Sequence, residues 1–173
     1  MYEVGASLKR LGKREEAMQY FERAVELDPT FAFAWAGKGA ILDDMGLLED
    51  AIRCYDRALE IDPRLSHVWN NKGISLGRLN RLDEALRCYE KALEIDKDFC
   101  SAWVNKGLVL KDLGRTEEAL FCYNKALEAD PAFELALFWK GTLLFELDRF
   151  EEAMIYFNKI LEKDPNHKEI LKM

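Results

Sequence analysis

At 173 residues, with 49% hydrophobic and 12% aromatic content, the chain carries enough large side chains for a core, which excludes wholesale disorder. Its 32 acidic and 25 basic residues are interspersed and sum to −7, which excludes the basic clusters that non-specific nucleic-acid binding requires. No apolar run approaches the roughly 20 residues that span a bilayer, so neither nucleic acid nor membrane is an expected partner.

The segment from Met1 to Arg14 lacks the charged-then-apolar layout of a secretion signal. A cytoplasmic setting is expected, unless a leader has been removed. Four cysteines in a chain of this length do not suggest a disulfide scaffold.

The predicted elements are periodic. Asp28-Pro29, Asp62-Pro63, Asp96-Lys97, Asp130-Pro131 and Asp164-Pro165 recur every 34 residues. They divide the chain into units 1–31, 32–65, 66–99, 100–133 and 134–167, with a stub from Lys168 to Met173 that begins a sixth. Each unit opens with a helix. Trp35, Trp69 and Trp103 stand near its start in three of the units, followed by the column Gly5, Gly39, Gly73, Gly107 and Gly141. Three residues further on come Leu8, Leu42, Leu76, Leu110 and Leu144. The helix is predicted to end at Gly12, Gly46, Asn80, Gly114 and Asp148, residue types that tolerate the left-handed backbone found just past many last turns.

A second helix follows, opened by acidic pairs such as Glu49-Asp50 and Glu117-Glu118, which favour the positive end of its dipole. It carries Ala17, Ala51, Ala85, Ala119 and Ala153, then Phe21, Tyr55, Tyr89, Tyr123 and Phe157. Ala24, Ala58, Ala92 and Ala126 come next, with Ile160 in the last place. Spacings of three and four inside each half read as helix, and proline near the second break stops it. Small residues such as Gly73 and Ala85 let helix axes approach while Trp69 and Tyr89 fill the remaining volume. A bulky residue at Gly107 is expected to strain that contact by roughly 1–3 kcal/mol. One hairpin cannot bury its apolar faces, but stacked hairpins share a core. The fold class is therefore an all-α solenoid of about ten helices, read as one array over 1–173.

The pattern Trp35-x-x-Lys38-Gly39-x-x-Leu42, then Ala51, Tyr55, Ala58 and Pro63, resembles the tetratricopeptide repeat over essentially the whole chain. Lys38, Lys72, Lys106 and Lys140 depart from the family's usual aliphatic residue and look like the variant common in archaeal and bacterial members. The resemblance implies a right-handed superhelix whose first helices line a concave groove for a peptide or partner helix. The first unit starts part-way into its helix, and the capping helices of solenoids are missing. The chain is thus expected to be part of a longer array, or to pair through open repeat ends as a homodimer.

No catalytic constellation is evident. His67 and His167 fall in different columns, and there is no phosphate loop, Gly-x-Ser-x-Gly elbow or His-Glu-x-x-His. The chain is read as non-enzymatic and without a cofactor. Gly37-Lys38-Gly39 is read as the repeat's small column with a glycine happening to precede the lysine. Cys54, Cys88 and Cys122 share a column at the repeat period without a Cys-x-x-Cys pair, so no metal site is predicted; they read as small apolar contacts between hairpins, and Cys100 as a first-turn or loop residue. The lysine column reads as stems packed between hairpins, with ammonium groups reaching water or a carboxylate.

Helical geometry places candidate ligand positions two residues before the tryptophan column and two, five and nine after it. These are Phe33, Gly37, Ala40 and Asp44 in the second unit, and His67, Asn71, Ile74 and Arg78 in the third. Ser101, Asn105, Leu108 and Asp112 follow in the fourth, and Leu135, Trp139, Thr142 and Glu146 in the fifth. Asn71 and Asn105 share a column, and an amide both donates to and accepts from a peptide backbone. Leu135, Phe138, Trp139 and Phe145 make the fifth unit unusually apolar, either as a binding patch or as a face for a further hairpin. The predicted partner-binding set is His67, Asn71, Ile74, Asn105, Leu108, Phe138, Trp139 and Phe145. The family's clamp for acidic C-terminal tails is not evident, since its positions hold Tyr2, Ala6, Gly37, His67 and Asn71. The competing readings are a structural or self-assembling arm, and a regulatory segment of a larger enzyme.

Overall fold

The computed structural model describes residues 1–172. Among them ten α-helices and no strands follow one another: α1 (Tyr2–Arg10), α2 (Arg14–Leu27), α3 (Ala32–Asp44), α4 (Leu48–Ile61), α5 (Ser66–Arg78), α6 (Leu82–Ile95), α7 (Cys100–Asp112), α8 (Thr116–Ala129), α9 (Glu134–Glu146) and α10 (Phe150–Leu161). Each odd-numbered helix pairs with its successor as a hairpin. The hairpins fall into two compact units, Met1–Ile95 and a second beginning at Asp96. The division coincides with the one repeat boundary where proline gives way to Lys97. In the first unit α1, α3 and α5 touch in succession, with α2 packed on α3 and α4 on α5; in the second, α7 touches α9 and α8 packs on α9.

The break inside each hairpin is built as the sequence predicts. Gly12, Gly46 and Gly114 have φ of +74°, +79° and +72°, and Asn80 and Asp148 both have +59°. One residue later an N–H returns to the leucine column: Leu47 to the Leu42 carbonyl at 2.9 Å, Arg81 to Leu76 at 2.9 Å, Arg115 to Leu110 at 2.8 Å. These bonds satisfy carbonyls that the helix end leaves open.

The break between hairpins rests on the aspartate more than on the proline. Asp28, Asp62, Asp96, Asp130 and Asp164 each accept the backbone N–H two residues on, at 2.9–3.1 Å. This side-chain turn needs no proline, and Lys97 is accommodated in it. The tryptophans fasten the same loops. Trp35, Trp69 and Trp103 donate their indole N–H to the carbonyls of Pro29, Pro63 and Lys97 at 3.0, 3.0 and 2.8 Å.

Packing follows the small and aromatic columns. In the first unit Ala51, Tyr55, Ala58, Leu59, Leu65 and Val68 belong to one buried cluster, against which Trp35 and Trp69 pack. A Cβ added at Gly39 would stand 2.7 Å from the Tyr55 ring and 3.2 Å from the Ala51 carbonyl oxygen. Gly37 is not the incidental glycine its sequence context suggests. A Cβ there would lie 2.4 Å from the Phe21 ring, which also lies against Gly5, so half-buried position 37 has no room for a larger side chain.

The final turn contains a short 3₁₀ element, Ile170–Lys172, in place of a regular helical stub, and Met173 lies outside the described residues. Ile170 is buried in the column of Ala34, Val68, Ala102 and Ala136. His167, in the column of Phe31, packs on Phe138 at 5.8 Å between ring centroids, which reproduces the 5.2 Å contact of Phe31 with Tyr2.

Candidate binding face of the first helices

The repeated polar columns serve architecture. Lys38 reaches Glu22 at 3.3 Å, Lys72 pairs with Asp56, and Lys140 bonds Asn124 and the Tyr156 hydroxyl. Each bond joins a first helix to the second helix before or after it, as the packed-stem reading expects. Cys54, Cys88 and Cys122 are buried free thiols; burial raises the pKa of Cys54 and pushes that of Cys88 up to about 11. Among the described residues no group of three or more His, Cys, Asp or Glu could hold a metal. The acidic pairs have partners that the sequence reading missed. Arg81, Arg115 and Arg149, one residue before their helices, grip Glu84, Glu118 and Glu152 through two bonds each at 2.7–2.8 Å.

The predicted ligand positions of the first unit converge. His67 is exposed and stacks on Phe33, with centroids 6.0 Å apart and planes inclined by 11°. Phe33 is 40% exposed and also meets Tyr2 and Phe31, so an aromatic shelf borders the N-terminal ends of α1, α3 and α5. The opposite ends carry ion pairs between neighbouring first helices: Lys9 with Asp44 at 3.8 Å and Arg78 with Asp43 at 2.7 Å. Asp43 is further fixed by the hydroxyl of fully buried Ser75.

Between shelf and ion pairs lies a cavity of about 110 Å³ lined by Lys9, Ala40, Asp43, Asp44, Tyr55, Asn71 and Ile74. Two predicted site residues, Asn71 and Ile74, line it. Tyr55 enters from the second helix and was assigned only a packing role by its column. It is 2% exposed. Burial first, then the charges of Asp43 and Asp44, raises its phenol well above the ordinary value. The ion pairs had a sequence signal in opposite charges 35 residues apart, which column-by-column reading passes over.

The second unit divides the other predicted residues. Leu108, Trp139 and Phe145 are half-buried, and Asn105 is half-buried and engaged. Phe138 and Trp139 meet edge to face at 5.2 Å, but Phe138 also carries His167, so it belongs partly to hairpin packing. Phe145 packs on Phe150 at 5.0 Å. Two ring contacts, Phe138 with Trp139 and Phe145 with Phe150, thus lie along the fifth hairpin. Glu146 pairs with Lys111 at 2.6 Å, repeating in the same columns the Lys9–Asp44 pair of the first unit. Beneath the face, the hydroxyls of Tyr123 and Thr142 are buried without a hydrogen-bond partner among the described residues.

Hairpins of this length, with a left-handed break and a tryptophan-fastened loop, define a helical-repeat protein. Family models of the tetratricopeptide repeat match residues 1–31, 32–65, 67–99 and 104–168, and the chain belongs to that family. No curated protein matches it. Among solved structures it is similar to Pseudomonas aeruginosa PilF, at 23% identity and TM-score 0.87, covering 93% of this chain and 73% of that one. It is similar to MamA at 22% identity and TM-score 0.80, with coverage of 96% and 97%. YrrB, described as a tetratricopeptide protein with an unusual peptide-binding site, matches at 23% identity and TM-score 0.72, with coverage of 96% and 86%. These likenesses establish the shared fold.

Proposed function

We propose that the chain is a non-enzymatic protein-interaction module whose first-helix faces form a groove for an extended peptide or an amphipathic helix. One observation carries this reading: the first unit sets an aromatic shelf (Phe33, His67), an amide (Asn71) and an aliphatic wall (Ile74) along one face, bounded by ion pairs. An apolar strip beside a charged rim suits an amphipathic ligand. The description of YrrB as peptide-binding supports the same use. Asn105, Leu108, Phe138, Trp139 and Phe145 are assigned to the face in the second unit, and a cytoplasmic setting belongs to the proposal. Among the described residues no helix is long and apolar enough to cross a membrane.

The test is selection of peptide binders from a displayed library against the whole chain. Their affinities are then compared for the wild type, His67→Ala with Asn71→Ala, Asn105→Ala with Trp139→Ala, and Phe121→Ala as an outer control, Phe121 being 53% exposed on α8. At least one face double variant should bind about tenfold or more weakly. Unchanged affinity in both, with loss only in Phe121→Ala, would sink the proposal.

A second reading, self-association, rests on Val4 (44% exposed) of α1 and on Met154 (47%) and Ile155 (56%) of α10. Sedimentation equilibrium over a wide concentration range decides it, and a concentration-independent monomer mass removes it.

A further inference from the structure

The aromatic column of the second helices sets Tyr55 apart from what packing requires. Phe21 and Phe157 fill the same place in the first and fifth repeats and are as buried as Tyr55, so the ring alone completes the core. The Tyr55 hydroxyl makes no hydrogen bond to a described residue, and Tyr55 lines the cavity of the first unit. A nearly buried donor that opens onto a polar cavity calls for an acceptor there.

The surrounding groups define that acceptor. Both carboxylate oxygens of Asp43 are already engaged, one by Ser75 and one by Arg78. The Asn71 side-chain oxygen accepts from Asn70 at 3.4 Å, which leaves the Asn71 NH₂ to donate. Lys9 stands 3.8 Å from Asp44, a loose pair in which both partners retain capacity for another bond. The site thus offers donors from Tyr55, Asn71 and Lys9, and one acceptor, Asp44. The charges of Lys9, Arg78, Asp43 and Asp44 cancel. A second carboxylate would meet Asp44, and a cation would meet Lys9. A neutral group with an sp² oxygen and an N–H matches both the hydrogen-bonding set and the charge. Ala40 and Ile74 supply apolar walls for its carbon atoms.

We propose that this cavity is a carboxamide-binding subsite in which the Tyr55 hydroxyl and the Asn71 amide donate to the ligand carbonyl and Asp44 accepts its N–H. It rests on the reading of the first-helix face as a binding face and names a chemistry for one position on it. The carboxamide comes either from a glutamine or asparagine side chain of the bound segment or from its main chain. Tyr55 selects, since removing its hydroxyl leaves the packing of the Phe21 column.

The experiment is a titration of the isotope-labelled whole chain with small probes, followed by backbone and side-chain amide NMR. The probes are N-acetylglutamine amide, N-acetylleucine amide and N-acetylglutamate amide. Saturable shifts at Asn71 and Ile74 with the glutamine probe alone support a side-chain source; equal shifts with the leucine probe support a main-chain source. In Tyr55→Phe the supporting probe should bind about three- to tenfold more weakly while the remaining spectrum is retained. Preference for the glutamate probe, no shift with any probe, or undiminished binding in Tyr55→Phe would each overturn the assignment. Because no partner protein enters the titration, its failure is separable from failure of the groove, which the displayed-library experiment tests.

Discussion

Two glycines separated by seven positions show how differently one residue type constrains this protein. Gly107 lies inside α7, where helix propensity alone favours alanine by about 1 kcal/mol. A Cβ there would stand 2.6 Å from the ring of Tyr123, which is fully buried and has no free direction in which to retreat. Steric strain of roughly 1–3 kcal/mol should therefore win, and Gly107→Ala should lower the urea midpoint. Gly114 has open space around it but a φ of +72°, so Gly114→Ala should cost about 1–2 kcal/mol through the backbone alone. A neutral or stabilising Gly107→Ala would mean that the interhelical contact is looser than the geometry shows. Both roles were legible in the sequence, because the substitution pattern differs: the break column admits Asn80 and Asp148, whereas the packing column admits only glycine. Gly37 was not legible. Its column holds Asn71, Asn105 and Trp139 elsewhere, and it is the Phe21 ring that closes the space here.

At the scale of the element, the loop between hairpins shows which part of an Asp-Pro pair carries the turn. All five aspartates accept the N–H two residues on, although one pair reads Asp96-Lys97. The Trp103 indole bonds the Lys97 carbonyl just as Trp35 and Trp69 bond Pro29 and Pro63. The Lys97 N–H makes no backbone bond to another described residue, so proline would remove no donor in use there. Lys97→Pro should therefore stabilise the protein by about 0.4–1 kcal/mol, chiefly by restricting the unfolded chain. In a chain of this length that is a rise in melting temperature of about 1–4 °C. A lower melting temperature would show that the backbone at position 97 differs from that at the four prolines. Helix order, breaks and columns could be read from the sequence because local physics repeats at one period. The cavity beside Tyr55 could not, since it depends on side chains from α1, α3, α4 and α5 whose single columns look unremarkable. That His67, Asn71 and Ile74 share one helix face is legible because it follows from helical geometry alone. The contacts of Phe138 with His167 and of Phe145 with Phe150 are not visible in the sequence, because they join columns that no local spacing relates.

For the molecule as a whole, the repeated aromatic and cysteine columns create a common titration behaviour. Burial raises the pKa of Tyr55, Tyr89, Tyr123, Cys54 and Cys88, the last to about 11. In the unfolded chain the thiols lose their protons near pH 8.5 and the phenols near pH 10. Above about pH 8.5 the folded state therefore holds more protons than the unfolded state, and stability must fall as pH rises. Each proton of difference is worth about 1.4 kcal/mol per pH unit. The stabilising effect is fully present at pH 7 and declines first through Cys54 and Cys88, then through the tyrosines. The growing negative charge on a chain already at −7 acts in the same direction, but it is screened by salt, whereas the desolvation of buried groups is not. Urea midpoints at pH 7, 8.5 and 10, each at low and at roughly 0.5 M salt, separate the two. The expected result is a midpoint that falls with pH and keeps most of that fall at high salt, with a slope that flattens when Tyr89→Phe removes one hydroxyl. A pH dependence abolished by salt would assign the effect to surface charge and deny the buried columns their role.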